Sequence, residues 1–103
     1  MGTPRPASIR ILGKPFKVEW VDRVEHDGEE LNGLADPDGQ HIQVVGTLPL
    51  ETQQDRLLHE VMHCIEASFD LELDETVIER LATGMLAVLK DNPRFVSYLR
   101  RRK

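Results

Sequence analysis

The feature that most constrains the fold is a change of hydrophobic period. Before Gly46-Thr47-Leu48-Pro49 the apolar residues recur about every second position, and after it they recur every 3.6. A chain that makes this switch once places a small sheet first and helices second. In the first half, Ile9 to Leu12 reads as a short strand, and Phe16, Val18 and Trp20 alternate with Lys17, Glu19 and Val21 in a second. His26-Asp27-Gly28 is a turn signal, Leu31 to Ala35 a weaker strand, and Asp36-Pro37-Asp38-Gly39 a strong turn leading into Gln40 to Val45. The expectation is an antiparallel meander of three or four strands, preceded by a loose arm over residues 1–8, with Trp20 anchoring the sheet to the helices.

The first helix is predicted over roughly Leu50 to Phe69, with Leu57, Leu58, Val61, Met62, Ile65 and Phe69 on one broad apolar arc. Asp74 caps a second helix that runs to about Lys90, and Val77, Ile78, Leu81, Met85, Val88 and Leu89 are its expected buried stripe. Gly84 permits close helix approach. Asn92-Pro93 ends this helix and opens a third, roughly Pro93 to Arg100, followed by a basic tail. The fold class is therefore α+β. At 103 residues the chain fits one domain.

Composition excludes several functions. With 13 Lys+Arg against 18 Asp+Glu the net charge is −5, which disfavours a broad surface for nucleic-acid phosphates. No apolar run approaches the roughly 20 residues of a membrane span, and residues 1–6 lack the apolar stretch of a signal peptide. These readings predict an intracellular, cytoplasmic protein with neither nucleic acid nor membrane as partner. A single cysteine, Cys64, forms no internal disulfide and reads as a buried structural thiol.

The chemistry lies in His59-Glu60-Val61-Met62-His63, an HExxH pattern within the first predicted helix and off its apolar arc. Histidines four apart project from one face a turn apart and can reach one Zn²⁺. Glu60, rotated about 100° from His59, is placed to take a proton from a water held by the ion. A shuffled chain of this composition gives the pattern in roughly one case in a hundred before helical context is required. A third ligand is needed. If the two long helices form a hairpin whose turn centres near Leu71 to Glu72, Glu79 stands level with His63, whereas Glu75 is displaced by about 6 Å. That geometry favours Glu79. Glu66, Asp70 and Glu72 read as solvated, with Asp70 the candidate to orient a ligand imidazole.

The HExxH helix, the short gap and Glu79-Arg80-Leu81-Ala82-Thr83 resemble the gluzincin zinc metallopeptidases. The small intracellular and phage forms, the ImmA/IrrE-like group and the minigluzincins, are most similar. Glu79 and Ala82 match the Glu-x-x-Ala-Asn pattern of the ImmA/IrrE-like group, and Thr83 stands in place of its asparagine. The resemblance covers roughly Gln40 to Leu89. It implies a minimal zincin-like fold, one Zn²⁺ held by His59, His63 and Glu79, and Glu60 activating water against a peptide bond. It also implies that Gln40 to Val45 is a sheet edge along which a peptide or protein substrate lies. An oxyanion donor is sought among Tyr98, His41, Arg56 and Arg80, with Tyr98 the first choice. Two other readings are a zinc-binding regulatory or peptide-binding module, and a latent peptidase covered by residues 92–103. Oligomeric state is open.

Overall fold

The computed structural model describes residues 2–103 as six strands followed by three helices. The strands are β1 (Ser8–Ile11), β2 (Lys14–Val21), β3 (Val24–His26), β4 (Glu29–Leu31), β5 (Gly33–Asp36) and β6 (His41–Val45). The helices are α1 (Leu50–Ser68), α2 (Glu75–Asp91) and α3 (Pro93–Leu99). The division into a sheet half and a helical half matches the change of period. No helix among the described residues is long and apolar enough to cross a membrane.

The main sheet has the order β1-β2-β6-β5 and is mixed. β1 with β2 and β5 with β6 are antiparallel, but the central pair β2 and β6 is parallel. The expected meander is therefore corrected. A parallel pair needs a long crossover, and residues 22–40 supply it. That crossover holds the β3–β4 hairpin, absent from the sequence reading, and β5. The hairpin turns at Asp27-Gly28, both at positive φ, as a type I′ turn requires.

One sheet face carries the core. Ile11, Phe16, Ile42, Val44 and Cys64 form its buried centre, with Ile9, Trp20, Ala35, Leu57 and Val61 packed around them. Alternation along β2 and β6 turns Phe16, Val18, Ile42 and Val44 inward, while Lys17, Glu19, His41 and Gln43 share the outer face. Helix α1 lies on the apolar face and α2 packs on α1. The arm before β1 is held rather than loose. Trp20 Nε1 donates to the Pro6 carbonyl at 2.8 Å, and the Arg5 guanidinium sits 4.8 Å from the Trp20 ring centre and donates to the Gly46 carbonyl.

The apolar arcs divide differently from expectation. On α1, Leu57, Val61 and Cys64 meet the sheet, while Met62 and Ile65 join Ile78 and Leu81 of α2 around a shallow apolar groove. On α2 only Ile78 and Ala82 are buried. Val77, Leu81, Met85 and Val88 are 43–51% exposed, because α1 covers one side of α2 and no described residue closes over the other.

Candidate metal centre

The site forms where the middle of α1 meets the start of α2 and strand β5. His59 and His63, one turn apart, point their Nε2 atoms at each other, 3.1 Å apart. Glu75, the first residue of α2, closes the group. Its Oε1 lies 2.6 Å from His59 Nε2 and its Oε2 3.0 Å from His63 Nε2. These are the three residues whose ligand atoms converge closely enough to hold one metal ion among the described residues.

Glu75 takes the place expected of Glu79, which is exposed and stands outside both the group and the adjoining pocket. The reason is the linker. It is not a symmetric turn centred near Leu71: Asp70 adopts a positive φ of 55°, and the chain then returns alongside the last turns of α1. Leu73 N donates to Glu66 Oε2 at 2.6 Å, which sets Leu73 level with Glu66. Extended residues advance about 3.3 Å each against 1.5 Å in a helix. Two further residues therefore bring Glu75 back level with His63. Asp74 fixes this start by accepting a hydrogen bond from Thr76 N at 2.8 Å. The same register recurs eight residues along both helices, where Thr83 Oγ1 donates to Asp55 Oδ1 at 2.8 Å.

Glu66, rather than the Asp70 expected from sequence, is the carboxylate that meets a histidine of the group. One of its oxygens lies 3.2 Å from His63 Nδ1 while the other accepts the Leu73 amide. That amide, first, and the His63 ring hold the Glu66 carboxyl below its ordinary range, against the raising effect of burial. The sequence signal was present as His63-x-x-Glu66, an i,i+3 pair on the same helix face. In the tautomer that donates Nδ1–H to Glu66, His63 directs its Nε2 lone pair at the Glu75 carboxylate and at His59. With both Nε2 atoms unprotonated, they and the Glu75 carboxylate form a His/His/carboxylate donor set that fits a divalent metal, whereas a proton on either Nε2 would hydrogen-bond to Glu75 in its place.

Around the group lies a pocket of about 430 Å³, walled by β5 and the residues beside it (Leu31, Gly33, Leu34, Ala35 and Pro37) and by Arg56, Glu60, Glu66 and Ala67 of α1. His59 and Glu60 are the two buried polar residues among the described residues, 2% and 4% exposed, whereas the Glu75 side chain is 61% exposed. Glu60 Oε2 accepts from Arg56 Nη1 at 3.2 Å. The Arg56 stem crosses Gly33 so closely that a Cβ there would stand 2.7 Å from Cγ.

Arg56 is thus the cation in the pocket wall, and the other oxyanion candidates lie elsewhere. His41 is on the outer sheet face, 3.6 Å from Glu19, and Arg80 is exposed on α2. Tyr98, the first choice from sequence, is 67% exposed on α3. It is remote because α3 follows the far end of α2, roughly 25 Å along the helix from Glu75. No residue from 92 to 103 lines the pocket. Strand β6 is also not the edge expected of Gln40 to Val45: it lies between β2 and β5, so its backbone groups are shared on both sides. The edge strand beside the pocket is β5. Cys64, next to His63, is fully buried in the core, and desolvation pushes its thiol up to about 11.

Comparison with protein-family models, with curated proteins and with solved structures returns no match, so the reading of this centre rests on its own residues and their geometry.

Proposed function

We propose that this protein is a gluzincin-like zinc metallopeptidase in which His59, His63 and Glu75 hold the metal and Glu60 is the general base. The observation that carries the reading is the convergence of two Nε2 atoms and one carboxylate, all within 3.1 Å of one another, beside a buried glutamate. Bound zinc supplies a Lewis acid for the scissile carbonyl and lowers the pKa of water. Glu60 accepts the proton of the attacking water and passes it to the leaving amine. Its burial keeps the carboxylate dry, and Arg56 holds it at the pocket wall through their shared hydrogen bond. Glu66 keeps His63 in the tautomer whose Nε2 faces the ion.

An extended peptide fits the free edge of β5, where strand addition satisfies backbone groups that the sheet leaves unpaired. Leu34 and Pro37 then offer apolar wall to its side chains.

The decisive test is metal stoichiometry together with hydrolysis of a quenched peptide library. One zinc per chain and a peptidase activity lost in Glu60→Gln, with zinc retained, are expected. Glu75→Ala should lower zinc affinity at least 100-fold and Glu79→Ala leave it nearly unchanged, since each lost ligand interaction is worth several kcal/mol. Stoichiometric zinc without turnover would assign a binding module. Absence of bound zinc from protein offered the metal would end the proposal.

A further inference from the structure

The outer face of α2 is apolar and unpartnered. Val77, Leu81 and Val88, with Gly84 between the last two, follow a 4-3-4 spacing that lines one side of the helix, and Met85 borders it. The four large side chains are 43–51% exposed, and a Cβ built on Gly84 meets nothing within 4 Å. Leu81 also lips the apolar groove between α1 and α2.

The amount of surface left open is large for a chain of this size. Monomers of 11.8 kDa expose about 5,900 Å², whereas this chain exposes 7779 Å². The excess is roughly twice the 800 Å² that one partner gives to an interface of standard size. One such interface centred on α2 would return the protomer towards the monomer range.

The charge pattern says what covers it. Between Asp70 and Glu79 stand five acids and no base, while from Lys90 to Lys103 there are six bases and one acid. Two copies of α2 crossing antiparallel about Gly84 and Met85 set the acidic start of each helix beside the basic end of the other. Leu81 of each copy then faces Val88 of the other, and Arg80 stands within about one turn of Asp91. A parallel pairing would instead set like charges together. Gly84, at the crossing point, leaves room for close approach of the two backbones.

We propose that this chain forms a two-fold symmetric dimer through the outer faces of antiparallel α2 helices. Sedimentation equilibrium on the full chain across a dilution series tests it. The expected species has twice the protomer mass and dissociates more readily as salt rises. Leu81→Glu and Gly84→Gln should each shift the protein to monomer by at least tenfold in dissociation constant. Gly84→Gln is the control for folding, since it removes a glycine from an open helix position. Its helix content by circular dichroism should equal or exceed that of the parent. A protomer mass at every concentration, or a dimer that survives both variants, overturns the proposal. So does a monomer that co-sediments with phosphatidylglycerol vesicles through Leu81, which would assign the face to a lipid surface.

Discussion

The two long helices carry the same kinds of side chain and bury them very differently. Helix α1 is held between the sheet and α2, so even its polar strip is enclosed and His59 and Glu60 are nearly inaccessible. Helix α2 is covered on one side alone, and its contribution to the site, Glu75, stays open to solvent. The difference divides labour within one centre. The enclosed wall holds His59 and Glu60 in low-dielectric surroundings, where a misplaced polar group is costly, with His63 at its partly open margin. The open wall supplies the Glu75 carboxylate from a solvent-exposed helix end.

The contrast within α2 gives the largest expected effect. Ile78, 1% exposed, faces α1, and Val88, 45% exposed, faces outward. In urea unfolding of dilute, dissociated protein, Ile78→Ala should cost about 2–5 kcal/mol and Val88→Ala less than about 0.5 kcal/mol. Comparable losses at the two positions would mean that the outer face of α2 is packed within the protomer.

Glu66 sharpens the comparison from the other helix. It joins the enclosed wall to the open one by holding both His63 and the Leu73 amide. Glu66→Ala should weaken zinc binding about 10–100-fold, the usual cost of removing an orienting partner. Glu66→Gln keeps one acceptor oxygen where the carboxylate uses two, one for His63 and one for the Leu73 amide, and should recover only part of it. Unaltered zinc affinity in Glu66→Ala would reduce the residue to a loop anchor.

Gly33 tests the wall formed by β5. A methyl group there would meet Arg56 Cγ at 2.7 Å and the Gln43 carbonyl at 3.0 Å. The arginine must move, taking its hydrogen bond from Glu60. Overpacking of this kind costs about 1–3 kcal/mol. The double variant Gly33→Ala/Arg56→Ala should recover part of that loss, and strict additivity would show that the clash is elsewhere.

What could be read from the sequence follows the range of the interactions involved. The HExxH spacing is local, so a helix alone brings His59 and His63 together. The caps Asp74 and Asn92-Pro93 are local too, and the ends of α2 and α3 fell within a residue or two of expectation. The carboxylate that joins the two histidines depended on one long-range quantity, the register of α2 on α1. Treating the linker as a symmetric turn misplaced it by one helical turn, the interval between Glu75 and Glu79. The parallel β2–β6 pair escaped for the same reason: strand alternation gives the inward face but not the partner. Amphipathicity marked the α2 stripe as apolar without saying whether it meets this chain or another.

The smallest effect lies on the outer sheet face, away from both walls. Glu19 and Gln43 are register partners on β2 and β6, and Gln43 Nε2 donates to Glu19 Oε1 at 2.9 Å. This hydrogen bond, foremost, with the charges of His41 and Lys17, holds the Glu19 carboxyl below its ordinary value despite some desolvation. A group lowered on folding stabilises the native state above its unfolded pKa, and the contribution fades as pH falls through the folded one. Gln43→Leu should therefore raise the midpoint of the Glu19 carboxyl resonance in an NMR titration and reduce the stability difference between neutral and acidic pH, while leaving zinc binding alone. An unchanged midpoint would assign the lowering to His41 and Lys17. A change in zinc affinity would mean that the two sheet faces are coupled through β6, and the enclosed wall would then extend deeper than α1.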